Sequence, residues 1–115
     1  MMVRDVARQL GLKIVAGETR LDREVTGGYT GDLLSCVMAG AFPGNLWVTV
    51  QGHPNVVAVA TLAGISGVIV TEGARIDPGV ADKANQEGIP ILSSLKPSFE
   101  VVAALAGLGI TGKQC

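Results

Sequence analysis

The chain has 115 residues, which is enough for one domain with its own hydrophobic core, and we predict a single domain over residues 1–115. Hydrophobic residues make up 48% of the sequence, and this excludes a disordered tail. A net charge of -1 without a basic run argues against a nucleic-acid binder, and no apolar run is long enough to cross a membrane.

The first thirty residues predict a helix, a short strand and an extended segment. Apolar residues recur at helical spacing over Val3–Leu10, and Gly11 is a stop signal. Residues 12–15 alternate like a strand, and the polar residues 17–23 indicate a turn or loop. In the extended segment over residues 25–30, two adjacent glycines permit a close backbone approach.

From residue 32 onward, helices and strands are predicted to alternate. The predicted strands cover residues 46–50, 67–71 and 89–92, and the predicted helices cover residues 33–41, 55–63, 80–86 and 99–106. Asp32, Asp77 and Ser98 are candidate N-caps, and Pro90 favours a sheet edge or a strand start. This order predicts a layered α/β/α fold with a mainly parallel sheet of four to five strands.

The two cysteines and the chain ends have simple interpretations. Cys36 lies in an apolar helical stretch and is predicted to be a small core residue, whereas Cys115 is expected to fray. Neither has ligand-like neighbours, so we expect no disulfide framework and no metal site. The glycine-rich residues 107–115 are predicted to be loose, and residues 1–9 lack the apolar core of a signal peptide, which favours a cytoplasmic location.

Polar residues are predicted to meet at the carboxyl ends of the parallel strands, where α/β folds usually bind ligands. Three loops contribute them: Gln51, His53 and Asn55 in the first, Thr71, Glu72 and Gly73 in the second, and Ser93 and Ser94 in the third. His53 precedes a helix N-terminus, which favours anions, so it either lines a ligand pocket or only caps the helix. Glu72 is either a hydrogen-bond acceptor for a ligand or an ordinary surface charge.

A second group of residues, Asp22, Arg23, Thr26, Gly27 and Gly28, precedes the first parallel strand of the alternation. Its arginine and glycine N–H groups are suited to an anion-binding loop. The interpretation we favour is a structural clamp in which Arg23 makes a charge-assisted hydrogen bond with Asp22.

Catalytic motifs are missing from the sequence. No string matches the P-loop pattern, since the glycine-rich run over residues 107–113 has Gln where Ser or Thr is required. No Cys/His pair, Ser/His/Asp set or close carboxylate pair indicates covalent catalysis. We therefore predict no catalytic residues and no cofactor.

The Asp-Arg and Thr-Gly-Gly residues resemble the signature of the DRTGG domain family. The segments GDLLSCVMA over residues 31–39 and WVTVQGHPN over residues 47–55 also look like the family, and the resemblance covers residues 3–106. It implies a fold like the N-terminal domain of HPr kinase/phosphorylase without the catalytic domain, and a regulatory or sensing role. Family members often carry an acidic residue where Cys36 stands and two glycines where Glu72 and Gly73 stand.

The sequence thus predicts a non-catalytic regulatory domain that binds a small anion or nucleotide at the carboxyl ends of the strands. Arg23 is predicted to be one of the ligand-binding residues. One alternative is a protein-interaction or dimerisation module without a small ligand. A third is an uncharacterised enzyme, which requires His53 and Glu72 to face each other across a pocket. We also expect a homodimer, because the chain is hydrophobic and has few charges for its size.

Overall fold

The structure is a computed structural model that describes residues 1–112. Within them the strands are β1 (Lys13–Ala16), β2 (Gly27–Thr30), β3 (Asn45–Thr49), β4 (Gly67–Val70) and β5 (Ile91–Ser93). The helices are α1 (Val3–Leu10), α2 (Leu34–Gly40), α3 (Asn55–Ala63), α4 (Val80–Glu87) and α5 (Ser98–Gly107), with a 3-10 turn at Glu18–Arg20.

The five strands form one sheet in the order β1-β5-β4-β3-β2. Strands β2 to β5 are parallel, whereas β1 runs antiparallel to β5 and pairs Lys13 with Ser93. The prediction of a mainly parallel α/β sheet is therefore confirmed. We call the side where β2 to β5 end the carboxyl edge and the side where they begin the amino edge.

Helices cover both faces of the sheet, because β3 and β4 are buried along their whole length and carry apolar side chains on each face. Helices α2, α3 and α4 pack on one face around Trp47, whose indole N–H donates to the carbonyl of Gly31 at 2.9 Å. Helices α1 and α5 pack on the other face around Leu46 and Val48.

Glycine ends three of the helices as the sequence predicts. Gly11, Gly64 and Gly88 follow α1, α3 and α4 in the left-handed region, with φ of 65°, 70° and 69°. The predicted N-caps are wrong, because the N-cap residues of α2, α4 and α5 are Leu33, Gly79 and Pro97. Asp32 and Ser98 have tertiary partners instead, and Asp77 is paired with the neighbouring Arg75.

Two other sequence predictions are wrong. Cys36 is exposed, because the inner face of α2 is formed by Leu34, Val37 and Ala41. The segment after α5 is not loose over residues 108–112, since Ile110 packs on the core and the Gly28 N–H donates to the Thr111 carbonyl at 3.0 Å. Cys115 lies outside the described residues.

The start of β5 agrees with the sequence. Pro90 directly precedes the strand and its carbonyl accepts the Val68 N–H at 2.9 Å. Because β5 lies between β1 and β4, the proline marks a strand start and not a sheet edge. In the part of the chain that the structure describes, no helix is long and apolar enough to cross a membrane.

Candidate ligand-binding edge

Asp32 joins the first loops of the carboxyl edge. Its Oδ1 accepts hydrogen bonds from the Thr49 hydroxyl at 2.8 Å and from the Val50 N–H at 2.9 Å. Its backbone carbonyl accepts a bond from Gln51 Nε2 at 3.1 Å. Asp32 therefore fixes the end of β3 instead of capping α2, and Gln51 is part of the same network.

His53 caps the helix that follows it. Its Nδ1 accepts the N–H of Asn55 at 3.0 Å, at the first residue of α3, and the side chain is otherwise exposed. An accepting Nδ1 places the proton of a neutral imidazole on Nε2, so the ring has no second lone pair. The structure thus contains the helix-capping contact that one of the two predicted interpretations of His53 requires.

Gly52 holds the first loop against the second. A Cβ at this position would lie 1.9 Å from the carbonyl oxygen of Arg75, so only glycine fits. The N–H of Asp77 donates to the Gly52 carbonyl at 2.8 Å. The two loops therefore pack backbone to backbone, and Gly52 is a residue whose role the sequence analysis missed.

The second loop ends at the start of α5. Thr71 is buried, and its hydroxyl contacts the hydroxyl of Ser98 and the carbonyl of Thr49. The Ser98 N–H donates to Glu72 Oε2 at 2.8 Å. Ser98 is therefore not the N-cap of α5, and the carboxylate that satisfies this helix N-terminus belongs to Glu72.

Glu72 adopts a backbone conformation that favours glycine, with φ of 64°, and Gly73 follows with φ of 62°. Hydrogen bonds hold this turn on the third loop: the Glu72 N–H donates to the Lys96 carbonyl at 2.9 Å and the Gly73 N–H to the Ser94 carbonyl at 3.0 Å. Glu72 thus has a structural partner for one of its carboxylate oxygens, whereas its side chain is otherwise exposed.

An open groove of about 710 Å³ lies beside these loops, between the end of β5, the start of β1 and the turn after β4. Its apolar walls come from Leu10, Val15, Ala74, Ile76 and Leu95. Its polar lining comes from Lys13, Ser93, Ser94 and Lys96, together with Gly73. Of the residues predicted to meet at the carboxyl edge, Gly73, Ser93 and Ser94 line this groove, whereas Gln51, His53, Asn55, Thr71 and Glu72 do not.

Lys13 and Lys96 give the groove a positive charge. Lys13 stands opposite Ser93 in the β1–β5 register, and both lysines are exposed. Over residues 1–112, the ion pairs join the terminal amine to Glu24 and Arg75 to Asp77, so neither lysine is paired with a carboxylate. Two free ammonium groups beside an apolar wall suit a ligand with an anionic part and an apolar part.

Arg23 lies at the amino edge, on the other side of the sheet from His53 and Glu72. Its guanidinium donates to the carbonyl of Gly88, just before β5, at 3.3 Å. Burial lowers the pKa of Arg23 below its usual value, nearby Arg20 lowers it further, and Asp22 opposes both. The predicted grouping of Arg23 with the carboxyl-edge residues is wrong, because the loop before a parallel strand must lie at its amino end.

The Thr-Gly-Gly residues also belong to the amino edge. The Thr26 hydroxyl donates to the Pro43 carbonyl at 2.8 Å and accepts from Asn45 Nδ2 at 3.3 Å. The Thr26 N–H donates to the Gly44 carbonyl at 3.0 Å, and Gly27 begins β2 as a buried residue. These contacts join β2 to the turn before β3 and so have the role of a structural clamp. The predicted hydrogen bond between Arg23 and Asp22 is wrong, because over residues 1–112 the Arg23 guanidinium donates to the Gly88 carbonyl and forms no ion pair with Asp22.

Comparison with known proteins identifies the family of this chain. A DRTGG domain model matches residues 5–108 of the chain. This chain belongs to the DRTGG domain family. No curated protein matches it. Within the described residues, no group of three or more His, Cys, Asp or Glu side chains is placed to hold a metal ion.

One similar solved structure contains a DRTGG domain in a larger regulatory region. It is the CBS and DRTGG domains of the regulatory region of Clostridium perfringens pyrophosphatase, complexed with the activator diadenosine tetraphosphate. The TM-score is 0.71 at 13% sequence identity, over 89% of this chain and 44% of that chain. This likeness shows the fold, and this chain spans less than half of the pyrophosphatase region.

Sequence reasoning missed the two lysines of this DRTGG domain's groove. Lys13 reaches the carboxyl edge only because β1 joins the sheet antiparallel to β5. The sequence contained no signal for the position or direction of β1, so Lys13 could not be grouped with the third loop. Lys96 lies within the predicted loop over residues 93–97. A lysine so close to Ser93 and Ser94 was a signal from which a candidate anion contact could have been predicted.

Proposed function

We propose that this DRTGG domain is a non-catalytic regulatory module that binds a small anionic metabolite of the nucleotide class in the groove at the carboxyl edge. The observation that carries the proposal is that Lys13 and Lys96, which have no carboxylate partner within residues 1–112, line a groove together with apolar side chains. The groove has about 710 Å³, within the range of about 300–1,000 Å³ usual for small-molecule sites.

The chemistry of a nucleotide fits this lining. A base can pack on apolar side chains such as Leu95 and Ile76, while phosphate oxygens accept hydrogen bonds from the ammonium groups and from the Ser93 and Ser94 hydroxyls. The solved pyrophosphatase region, in which 44% of the chain matches this fold, is complexed with a nucleotide activator. That complex supports a nucleotide as the first ligand class to test on this chain.

The other predicted ligand-binding residues have a supporting role in this proposal. Gln51, His53 and Asn55 shape the first loop, and Thr71 and Glu72 position the second loop against α5. They hold the backbone around the groove without lining it. The Nδ1 of His53 and the carboxylate of Glu72 each accept a helix N–H, which argues against their use as a general base.

A thermal-shift titration with ATP, diadenosine tetraphosphate and inorganic phosphate tests the proposal. A probe at a hundred times its dissociation constant stabilises the native state by about 2.7 kcal/mol, a readily measured shift. The Lys13→Ala/Lys96→Ala double variant should lose that shift. Lys83→Ala, which removes an exposed lysine from α4, is the matched control and should keep it.

Two results contradict the proposal. If none of the three probes raises the melting temperature, the carboxyl edge is not a site for this ligand class. If a probe raises it equally in the double variant and in the control, the ligand binds outside the groove.

A protein-interaction or dimerisation module is the second candidate function, and we propose that the chain forms a homodimer. The observation in its favour is the absence of Asp, Glu, Lys and Arg between Asp32 and Glu72, a stretch that includes exposed helical residues. Sedimentation equilibrium of the purified chain tests self-association directly.

A further inference from the structure

The surface of α2 is unusual for an exposed helix because it carries no charge. Every Asp, Glu, Lys and Arg of the chain lies before residue 33 or after residue 71, so α2, β3, α3 and β4 contain none. Burial explains this for β3 and β4. It does not explain α2, in which Val37 is the one buried residue of the helix.

The outer side of α2 is uncharged and exposed. Ser35, Met38 and Ala39 recur at i, i+3 and i+4 on the helix and are exposed, and Phe42, two residues after the helix ends, is exposed as well. Met38 and Phe42 are each 44% exposed, and Leu33 at the start of the helix is 64% exposed. A solvent-facing helix side normally carries charged and polar residues, so this side has the composition of a covered surface.

Helix α3 extends the same surface. Its end lies against the turn after α2, because the Gly44 N–H donates to the Gly64 carbonyl at 2.8 Å and Gly64 stands beside Pro43. Leu62, near that end of α3, is 75% exposed. We call the outer side of α2, the flanking residues Leu33 and Phe42, and Leu62 together the uncharged face.

The size of the uncharged face suits a weak, specific contact. Four large side chains, those of Leu33, Met38, Phe42 and Leu62, leave on the order of 400 Å² of accessible surface. Apolar patches of this size on monomers are often functional. A standard interface buries about 800 Å² per partner. The small exposed residues Ser35, Cys36, Ala39 and Pro43 lie among them and add to this area.

The charge distribution selects the partner. An uncharged face favours a partner surface that is itself uncharged, since a charged surface would lose hydration of its charges without gaining ion pairs. All charged residues of the chain lie outside the stretch that forms this face. The same face of a second copy is therefore the complementary surface that this chain offers, and a two-fold axis brings equal patches together.

We propose that the uncharged face is the homodimer interface of this DRTGG domain, with α2 of one copy packed on α2 of the other. The inference deepens the homodimer proposed above by naming its surface. It is independent of the ligand, because the groove lies at the carboxyl edge and is lined by other residues.

Sedimentation equilibrium of the whole chain, from about 1 to 500 µM, tests the interface. We expect the wild-type chain to pass from monomer to dimer within this range of concentrations. Met38→Glu and Leu62→Glu should each weaken dimerisation at least tenfold, because a carboxylate would be buried without a partner. Leu95→Glu is the matched control: Leu95 is 89% exposed but lies at the carboxyl edge, so this variant should dimerise like the wild type.

Circular dichroism melting of each variant shows whether the fold is kept, and Met38→Ala replaces Met38→Glu if the latter unfolds. A wild-type chain that stays monomeric over the whole range overturns the proposal. Dimerisation unchanged in both face variants, or lost in Leu95→Glu instead, also overturns it. The Lys13→Ala/Lys96→Ala variant should remain dimeric, so failure of the ligand proposal leaves this result unaffected.

Discussion

The two edges of the sheet use their polar residues in different ways. At the amino edge, Arg23 and Thr26 direct their side chains to backbone carbonyls within the domain. At the carboxyl edge, Lys13 and Lys96 have no carboxylate partner and stand beside exposed apolar side chains. The signature residues Arg23 and Thr26 therefore maintain the fold, whereas the residues that we propose for a ligand lie at the other edge and outside the signature.

The largest effect should come from crowding the amino edge at Gly17. Its φ is 75°, and a Cβ there would lie 2.4 Å from the carbonyl oxygen of Ile89, so Gly17→Ala combines backbone strain with a clash. We expect a loss of about 3–5 kcal/mol in the free energy of unfolding, measured by urea denaturation. Gly107→Ala, at a helical position with open space, should be neutral or slightly stabilising.

The clamp at Thr26 should have a moderate effect on stability and none on the ligand. Thr26→Val keeps the shape but leaves the Pro43 carbonyl and the Asn45 amide without their hydroxyl partner. The expected loss is about 1–2 kcal/mol. The thermal shift produced by a bound probe should stay at its wild-type size. A reduced shift would show that the signature residues take part in ligand binding.

A pair of variants at Glu72 separates helix capping from backbone strain at the carboxyl edge. Glu72→Ala removes the carboxylate from the Ser98 N–H and leaves a Cβ at φ of 64°. Glu72→Gly removes the same carboxylate but relieves the strain, so it should be more stable than the alanine variant by about 1 kcal/mol. Equal stability of the two variants would show that the conformation at residue 72 carries no cost.

The smallest effect should come from His53. His53→Ala removes the acceptor of the Asn55 N–H and should cost about 0.5–1 kcal/mol in thermal unfolding. The response to a nucleotide probe distinguishes its two interpretations. An unchanged ligand-induced shift agrees with capping alone, whereas loss of that shift would make His53 a ligand contact.

The sequence predicted the architecture well, because the period of apolar residues and the glycines after the helices act locally. The alternation from residue 46 onward leads to the parallel order of β3, β4 and β5, and Gly64 and Gly88 end their helices as expected. These features depend on neighbouring residues and not on the rest of the fold, so they can be predicted from short segments of the sequence.

The candidate site was less predictable because its residues come together through tertiary contacts. Asp32 has the pattern of an N-cap, yet Thr49 and Val50 offer it better-placed donors. Arg23 and His53 could be grouped only by assuming that both lie at one edge, which depends on where the segment before β2 runs. The family resemblance offered a hint at Glu72, since the glycines of other members match a backbone with φ of 64° there.

The hydrogen bond from Gly28 to Thr111 has a consequence for solubility. Strand β2 ends the sheet, and residues 110–112 lie along its open side. Unprotected edge strands recruit other chains into intermolecular β-structure. A chain cut after residue 109 would retain all the helices and strands but lose this cover, and light scattering should show it aggregating at concentrations at which the full chain stays clear.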